Sequence, residues 1–404
     1  MPDPRRVRLV LVRGDERPLG VTPRFEVAIP WWQEAWPVVD AARDRFGLDV
    51  TLLRILDSGT GETHGGDVTY LAELSDDTQT PPPLESWPGP SPLPDDPRRM
   101  PWARPGGPDA DLAWASDVLA ARGLERDGQP RQIRTWNLSS LWTLPLADGS
   151  NAWLKAVPPF FAHEGAVLEQ LAGRPVPPLL GHDRYRTLMP ELPGEDQYDA
   201  ERPLLDHMID ALVDLQAAAA SRIDEYLALG LPDWRAPALT AALQVLIARR
   251  ARDVPLERAT LEAFADDLPE RFAAITACGL PDTLVHGDFH PGNVRADGER
   301  ITLLDWGDCG VGQPLLDEPA FLHGRPVLAD ALRAPWHARW RDLIPGSDPK
   351  RASALLRPVA AARQALIYQH FLDSIEATEQ PYHVHDVPDW LRITADLVRA
   401  EARS

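Results

Sequence analysis

LVHGDFHPGNVRADGERITLLDWGD, Leu284 to Asp308, decides the fold. It opens on an apolar run and breaks at the turn His286-Gly287-Asp288. Asn293 follows five residues after Asp288. Asp297-Gly298 is a hairpin signal, and the apolar strand Ile301–Leu304 then runs up to Asp305. Phosphoryl transfer needs a carboxylate to orient an attacking hydroxyl and accept its proton. It also needs oxygen ligands that hold Mg²⁺ on the nucleotide phosphates. Asp and Asn five apart, then an Asp ending a paired strand, can surround one small volume. The spacing predicts Asp288 as the base and Asn293 and Asp305 as metal ligands. Two other readings compete. One is a polar turn with structural hydrogen bonds. The other is a metallohydrolase with zinc on His286, Asp288 and His290, which lacks further His or Cys ligands nearby. The chain contains neither G-x-x-x-x-G-K-[ST] nor G-x-S-x-G, so P-loop and serine-hydrolase chemistry have no foothold.

Upstream of this stretch, Gln132–Pro145 and Asn151–Val157 read as strands joined at Asp148-Gly149. Pro159–Ala172 reads as a helix, and Pro178–Leu180 and Tyr185–Met189 are short apolar runs. From Pro203 onward the chain is Ala/Leu-rich and mostly helical. A small β-rich lobe therefore precedes a large helical one, with the irregular hairpin set in the second. Ahead of both, Pro81–Pro108 carries 11 prolines. Such a run lacks backbone donors and tends to extended chain, so it is expected as a semi-rigid linker. The residues before it read as mixed α and β. Val7–Val12, Val50–Leu56 and Val68–Leu74 have strand character, and Trp31–Phe46 has helical spacing that stops at Gly47. The expected class is α+β. Residues 1–80 form a small α/β accessory domain and 81–108 the linker. Residues 109–192 form the small lobe and 193–404 the helical lobe, with a catalytic loop over 286–308.

H-x-D-x-x-x-x-N followed by an apolar strand and Asp resembles the signature of the aminoglycoside phosphotransferase and choline kinase group. The resemblance implies a bilobal protein-kinase-like fold, with His286 beside the base. NAWLKAVPPFFAHEGAVLEQLAG, from Asn151, is similar to the family's strand lysine and helix glutamate. By that match Lys155 contacts the α and β phosphates and Glu164 holds it, with Glu169 as a competitor. TLMPELPGE, from Thr187, resembles the adenine-binding hinge and implies Met189, Glu191 and Leu192. Asp317, in LLDEPAF, resembles the acidic residue that braces the catalytic loop from behind. The match runs over roughly residues 130–325. It also departs from the family. The stretch TWNLSSLWTL has no glycine, so the backbone and hydroxyls around Asn137, Ser139 and Ser140 are expected to cover the phosphates. Trp153 stands where kinases often carry a small residue, which leaves both ATP and GTP open.

The resemblance implies a Mg²⁺-dependent kinase that phosphorylates a hydroxyl of a polar small molecule, amine-bearing or sugar-like. Alternatives are a non-catalytic nucleotide-binding module and a kinase acting on a protein. The acceptor pocket of the group is built from the helical lobe and its C-terminus, which makes Asp308, Arg363, His370, Asp373 and Glu376 candidates. Arg363 and His370 share a helical face at i, i+7. AARDRFGLDV and VTLLRIL, before the Pro-rich run, resemble a Nudix-type domain whose motif is degraded. Too few carboxylates remain there for hydrolysis.

Composition agrees with this reading. Asp and Glu outnumber Lys and Arg 61 to 41, a net charge of −20. That argues against nucleic acid or an anionic membrane surface as partner. Lys155 and Lys350 are the only two lysines among those 41 basic residues. One of them thus falls where the resemblance needs a compact ammonium, a role that arginine does not fill equally. Two cysteines exclude a disulfide-built scaffold. No long apolar segment and no signal-peptide core are present, so the expected location is the cytoplasm. Nothing in the sequence indicates an oligomeric state.

Overall fold

Val7, Leu9 and Leu11 alternate along the first strand and enter one apolar core, while Val10 and Val12 enter a second on the opposite face. That pattern marks a central strand covered on both sides. The computed structural model describes residues 3–14, 18–59, 64–75, 83–89, 91–325 and 327–403. The chain divides into two compact units. The first holds Met1–Phe160, Leu179–Glu191 and Phe371–Val384; the second holds Phe161–Pro178, Leu192–His370 and His385–Ser404.

The first unit contains two sheets. One is mixed, with β1 (Arg5–Val12), β2 (Gly20–Val21), β3 (Phe25–Val27), β4 (Val50–Ser58) and β5 (Gly66–Leu74). Its order is β2-β1-β5-β4, with β3 also on β1 and with β1 and β5 parallel. The helix α1 (Trp36–Phe46) starts with proline in its first turn and ends at Gly47, whose φ of 67° suits glycine. After α2 (Gly107–Ala121) comes an antiparallel sheet of β6 (Arg131–Thr135), β7 (Ser140–Pro145), β8 (Asn151–Ala156), β9 (Gly181–His182) and β10 (Arg186–Pro190), in the order β6-β7-β8-β10-β9.

The two sheets are joined through β6. The Ala35 N–H donates to the Ile133 carbonyl and the Thr135 N–H to the Gln33 carbonyl, each at 3.0 Å. The Gln132 amide bonds both the N–H and the carbonyl of Leu52 on β4, at 2.9 and 2.8 Å. The Pro-rich stretch, expected as a linker, is packed only in part, chiefly at its C-terminal end. Met100, Trp102 and Ala103 are buried. Arg54 donates to the carbonyls of Ala103 and Pro92. Prolines lack N–H groups, but their carbonyls and rings remain available to a neighbouring arginine and an apolar core. Pro81, Pro82 and Pro90 lie outside the described residues.

The second unit is mainly helical. It holds α3 (Glu164–Gln170), α4 (Arg202–Ala219), α5 (Ile223–Ala228), α6 (Ala236–Arg250), α7 (Arg258–Thr276), α8 (Glu318–Leu322), α9 (Ala329–Leu343) and α11 (Asp386–Glu401). It also holds α10 (Pro349–Ser374) up to His370. Two small sheets are set among these helices. In one, β11 (Glu195–Asp196) pairs with β14 (Val294–Asp297), which pairs with β15 (Arg300–Leu303) across the Asp297-Gly298 turn. In the other, β16 (Gly310–Gly312) lies between β12 (Asp233–Trp234) and β13 (Thr283–Val285).

Candidate functional site

Within the second unit β13 ends at Val285, and the loop that starts at His286 is held from behind. The His286 N–H donates to Asp317 Oδ2 at 2.9 Å and the Gly287 N–H to Asp317 Oδ1 at 2.8 Å. Gln216 Nε2 adds a bond to Oδ2 at 2.9 Å. Complete burial raises the Asp317 carboxyl above its ordinary range, against the pull of the nearby His286 and Arg363 and of these N–H groups. Gly287 has φ +91°, and a Cβ there would sit 1.8 Å from the Asp308 carbonyl oxygen. Glycine therefore lets the loop pass close to the turn at 306–308.

His286 is fully buried, and its Nε2 lies 2.9 Å from the Leu304 carbonyl oxygen. A carbonyl only accepts, so Nε2 carries the hydrogen. Burial lowers the pKa of this ring, against the nearby carboxylates Asp317, Asp288 and Asp305, and favours the neutral form. The Leu304 N–H donates to the Asn293 carbonyl at 2.8 Å. The residue before Asp305 is thus tied to both ends of the 286–293 loop.

Asn293 Nδ2 donates to the Asp288 carbonyl at 2.9 Å and to Asp288 Oδ2 at 3.0 Å. His290 Nδ1 accepts from the Gly292 N–H at 3.0 Å, which leaves the hydrogen on Nε2, 3.5 Å from Asp288 Oδ2. Asp305 is the one non-glycine residue with positive φ among the described residues, at φ 60°. Aspartate tolerates this region better than most residues. On its far side, the Trp306 N–H donates to Glu164 Oε1 at 3.2 Å. Glu164 opens α3 and is buried, where an acidic group suits the helix N-terminus. His163 Nε2 meets the Gly307 carbonyl at 2.9 Å, and burial lowers the pKa of that ring to about 4.

The donor set suits a hard cation. Asn293 spends its amide nitrogen on Asp288, so its oxygen is the atom it can offer, beside the exposed Asp305. Two oxygen ligands are typical for Mg²⁺, which keeps waters and phosphate oxygens for its other positions. The zinc reading has no such support. His286 Nε2 and His290 Nδ1 are both spent on the backbone, and no group of three His, Cys, Asp or Glu among the described residues could hold a metal.

The first unit carries the other predicted residues. Lys155 lies on β8 opposite Leu141 and Thr187, and Trp153 lies opposite Thr143 and Met189. Ser139 and Ser140 are buried, and their hydroxyls accept from the indoles of Trp136 and Trp142, at 3.1 and 3.0 Å. Glu191 follows β10. Its N–H donates to the Asn151 carbonyl at 2.9 Å and its carboxylate accepts from Asn151 Nδ2 at 3.0 Å. Leu192 begins the adjoining segment of the second unit.

Two acceptor candidates must be corrected. Arg363 is 1% exposed, donates to the Gly287 carbonyl at 2.9 Å and lies 4.3 Å over the Trp234 ring. It supports the loop and is not open to a ligand. Glu376 is buried in the first unit, where Arg99 binds it at 2.9 Å and Arg54 lies 3.4 Å away. Asp308 is half-buried, whereas His370 and Asp373 are exposed. Sequence reasoning missed Gln216, His163 and Trp234 as supports. Only Gln216 left a signal, as a lone polar residue on the buried face of α4 with Leu205, Met208, Ile209, Leu212 and Val213.

No helix among the described residues is long and apolar enough to cross a membrane. A search of curated proteins finds no match. Among solved structures the chain is similar to a macrolide 2'-phosphotransferase type I, with 19% identity and a TM-score of 0.50, covering 68% of this chain and 96% of that one. It is also similar to a putative fructosamine-3-kinase from Thermobifida fusca, with 18% identity and a TM-score of 0.50, covering 72% and 98%. The gentamicin–APH(2")-IIa complex gives 14% identity and a TM-score of 0.51, covering 71% and 98%. These likenesses establish the bilobal protein-kinase-like fold. A family model, described as the phosphotransferase enzyme family, matches residues 146–355. It does not reach the first 145 residues, so the Nudix-type resemblance there gains no support. The match spans just over half of the 404 residues and contains the whole 286–308 loop, and the chain belongs to the phosphotransferase enzyme family.

Proposed function

We propose that this phosphotransferase is a small-molecule kinase that moves the γ-phosphate of ATP or GTP to a hydroxyl of a polar acceptor. The observation that carries the reading is the pair of hydrogen bonds that Asn293 Nδ2 donates to the backbone carbonyl and the carboxylate of Asp288. It fixes one carboxylate oxygen and leaves the other to take a hydroxyl proton. Asp288 is the proposed base, orienting the acceptor hydroxyl and receiving its proton as the oxygen–phosphorus bond forms. Asn293 and Asp305 are the proposed holders of Mg²⁺, which when bound offsets charge on the phosphates. Lys155 supplies a compact positive charge to the phosphates, and Met189 to Leu192 receive the adenine. Glu164 and His286 keep the Asp305 turn and the loop in register through Trp306 and Leu304.

The acceptor is a small polar molecule with a free hydroxyl. The fold is shared with a macrolide 2'-phosphotransferase, the gentamicin-binding APH(2")-IIa and a putative fructosamine-3-kinase. Those likenesses favour antibiotic-like or sugar-like acceptors over a protein, with Asp308, His370 and Asp373 as acceptor-facing candidates. The cytoplasm, which holds nucleoside triphosphates, is the proposed location. Asp288→Asn should lower turnover by roughly 10²–10⁴ and leave MgATP binding intact. ADP release across a panel of hydroxylated amines, sugars and antibiotics reads the first effect, and equilibrium titration reads the second. Wild-type turnover in that variant would remove Asp288 as the base.

A further inference from the structure

The turn between β6 and β7 has no glycine, and by the family resemblance it stands where kinases of this fold carry the Gly-rich loop over the nucleotide phosphates. It is held by side chains from two distant parts of the first unit, the segment 379–383 and Trp102. Asn137 is 2% exposed. Its Nδ2 donates to Glu379 Oε2 at 3.4 Å, and its Oδ1 lies 2.9 Å from His383 Nε2, which donates. An amide between a carboxylate and an N–H has only one satisfied orientation.

Glu379 is itself anchored on the N-terminal sheet, where its Oε1 accepts from the Ile55 N–H of β4 at 2.8 Å. Ile55 sits at a break in the pairing of β4 with β5, and its N–H turns to this carboxylate. Next to Asn137, the Trp136 carbonyl accepts from Trp102 Nε1 of the Pro-rich stretch at 3.0 Å. The Trp136 ring meets Tyr382 edge-on at 5.6 Å and His383 at 5.9 Å. Tyr382 in turn belongs to the core of the N-terminal sheet.

We infer that the N-terminal sheet and the segment Glu376–His383 form a positioning frame for the β6–β7 turn, with Glu379 and His383 fixing Asn137 so that the turn is pre-set to receive the nucleotide phosphates. This assigns the accessory domain a task in nucleotide binding, and it rests on the proposed kinase chemistry. Asn137, Glu379 and His383 are positioning residues; none is proposed to touch the reacting atoms. A turn ordered in advance loses less entropy when the ligand arrives, so its loss falls on affinity.

The test uses the full chain. MgATP titration of the wild type comes first, and absence of binding there overturns the proposed function itself. Where the wild type binds, Asn137→Ala and His383→Phe should raise the KM for ATP about tenfold, with kcat at saturating ATP and the acceptor KM within about twofold of wild type. His383→Gln, which keeps an N–H donor at that place, should restore most of the ATP affinity. Equal ATP KM in folded Asn137→Ala or His383→Phe overturns the frame alone, as does a fall in kcat with no change in KM. Should Asn137→Ala not fold, the contrast between His383→Phe and His383→Gln decides.

Discussion

Burial pushes the Glu379 carboxyl up to about 7 from an ordinary value of 4.5, reinforced by Glu376 and opposed by the Ile55 N–H, Asn137 and Arg54. Tyr70 and Tyr382 also face it, and Arg99 acts on it through Glu376. Moving this carboxyl from 4.5 to about 7 corresponds to roughly 3 kcal/mol between the two protonation states. The sign follows from the direction. A group whose folded pKa is raised gives its full stability below the unfolded pKa and loses it as pH rises through the folded one. Wild-type protein should therefore lose about 3 kcal/mol from this group between pH 4.5 and 8. Glu379→Gln keeps the shape of the neutral acid and cannot ionise. Its amide satisfies Ile55 and Asn137 differently, but that offset does not change with pH. Urea unfolding of both proteins, followed by tryptophan fluorescence, isolates the effect. The stability of the variant relative to wild type should climb by about 3 kcal/mol across that window. A difference that stays constant to within about 0.5 kcal/mol would refute the burial argument.

Two further substitutions separate support from chemistry. Gly287→Ala places a Cβ against the Asp308 carbonyl oxygen at positive φ, and should cost about 3 kcal/mol or more in a thermal melt. An unchanged melting temperature would mean that the close approach is not needed. Arg363→Met keeps apolar contact with Trp234 but drops the bond to Gly287, and should cost about 2 kcal/mol and lower kcat with the acceptor KM unchanged. A rise in acceptor KM alone would return Arg363 to the acceptor site.

The loop was legible because its parts lie close together in the chain. Asp288, Asn293 and Asp305 fall within 18 residues, and a turn and a hairpin suffice to gather them. Arg363 was misread for a physical reason. Helical periodicity puts it on a face with His370, but periodicity does not say whether that face meets solvent or the back of the loop. The same holds for Glu376. An acidic run reads as open and ligand-facing until two arginines from the N-terminal part are found against it. The sequence around Asn137 reads as a backbone cover for phosphates, yet the partners of Asn137, Glu379 and His383, lie 242 and 246 residues away. No local pattern encodes a bond of that separation.

The frame also bears on why so much charge is buried at one place. Glu376, Glu379, Arg54 and Asn137 line a single small cavity with Trp136 and Met100. Removing carboxylates and guanidinium groups from water costs several kcal/mol per ion, and the pairing among them seldom returns a large surplus. Apolar side chains of similar volume would hold the N-terminal sheet against β6 at least as firmly. What they would not do is distinguish the two orientations of the Asn137 amide. With Glu379 on one side and His383 on the other, rotating that amide sets donor against donor and acceptor against carboxylate. The polar cluster is then better understood as fixing direction than as adding stability. A variant with apolar residues at 54, 99, 376 and 379 together, which leaves no guanidinium buried without its carboxylate, would be expected to melt no lower than wild type and to bind ATP more weakly.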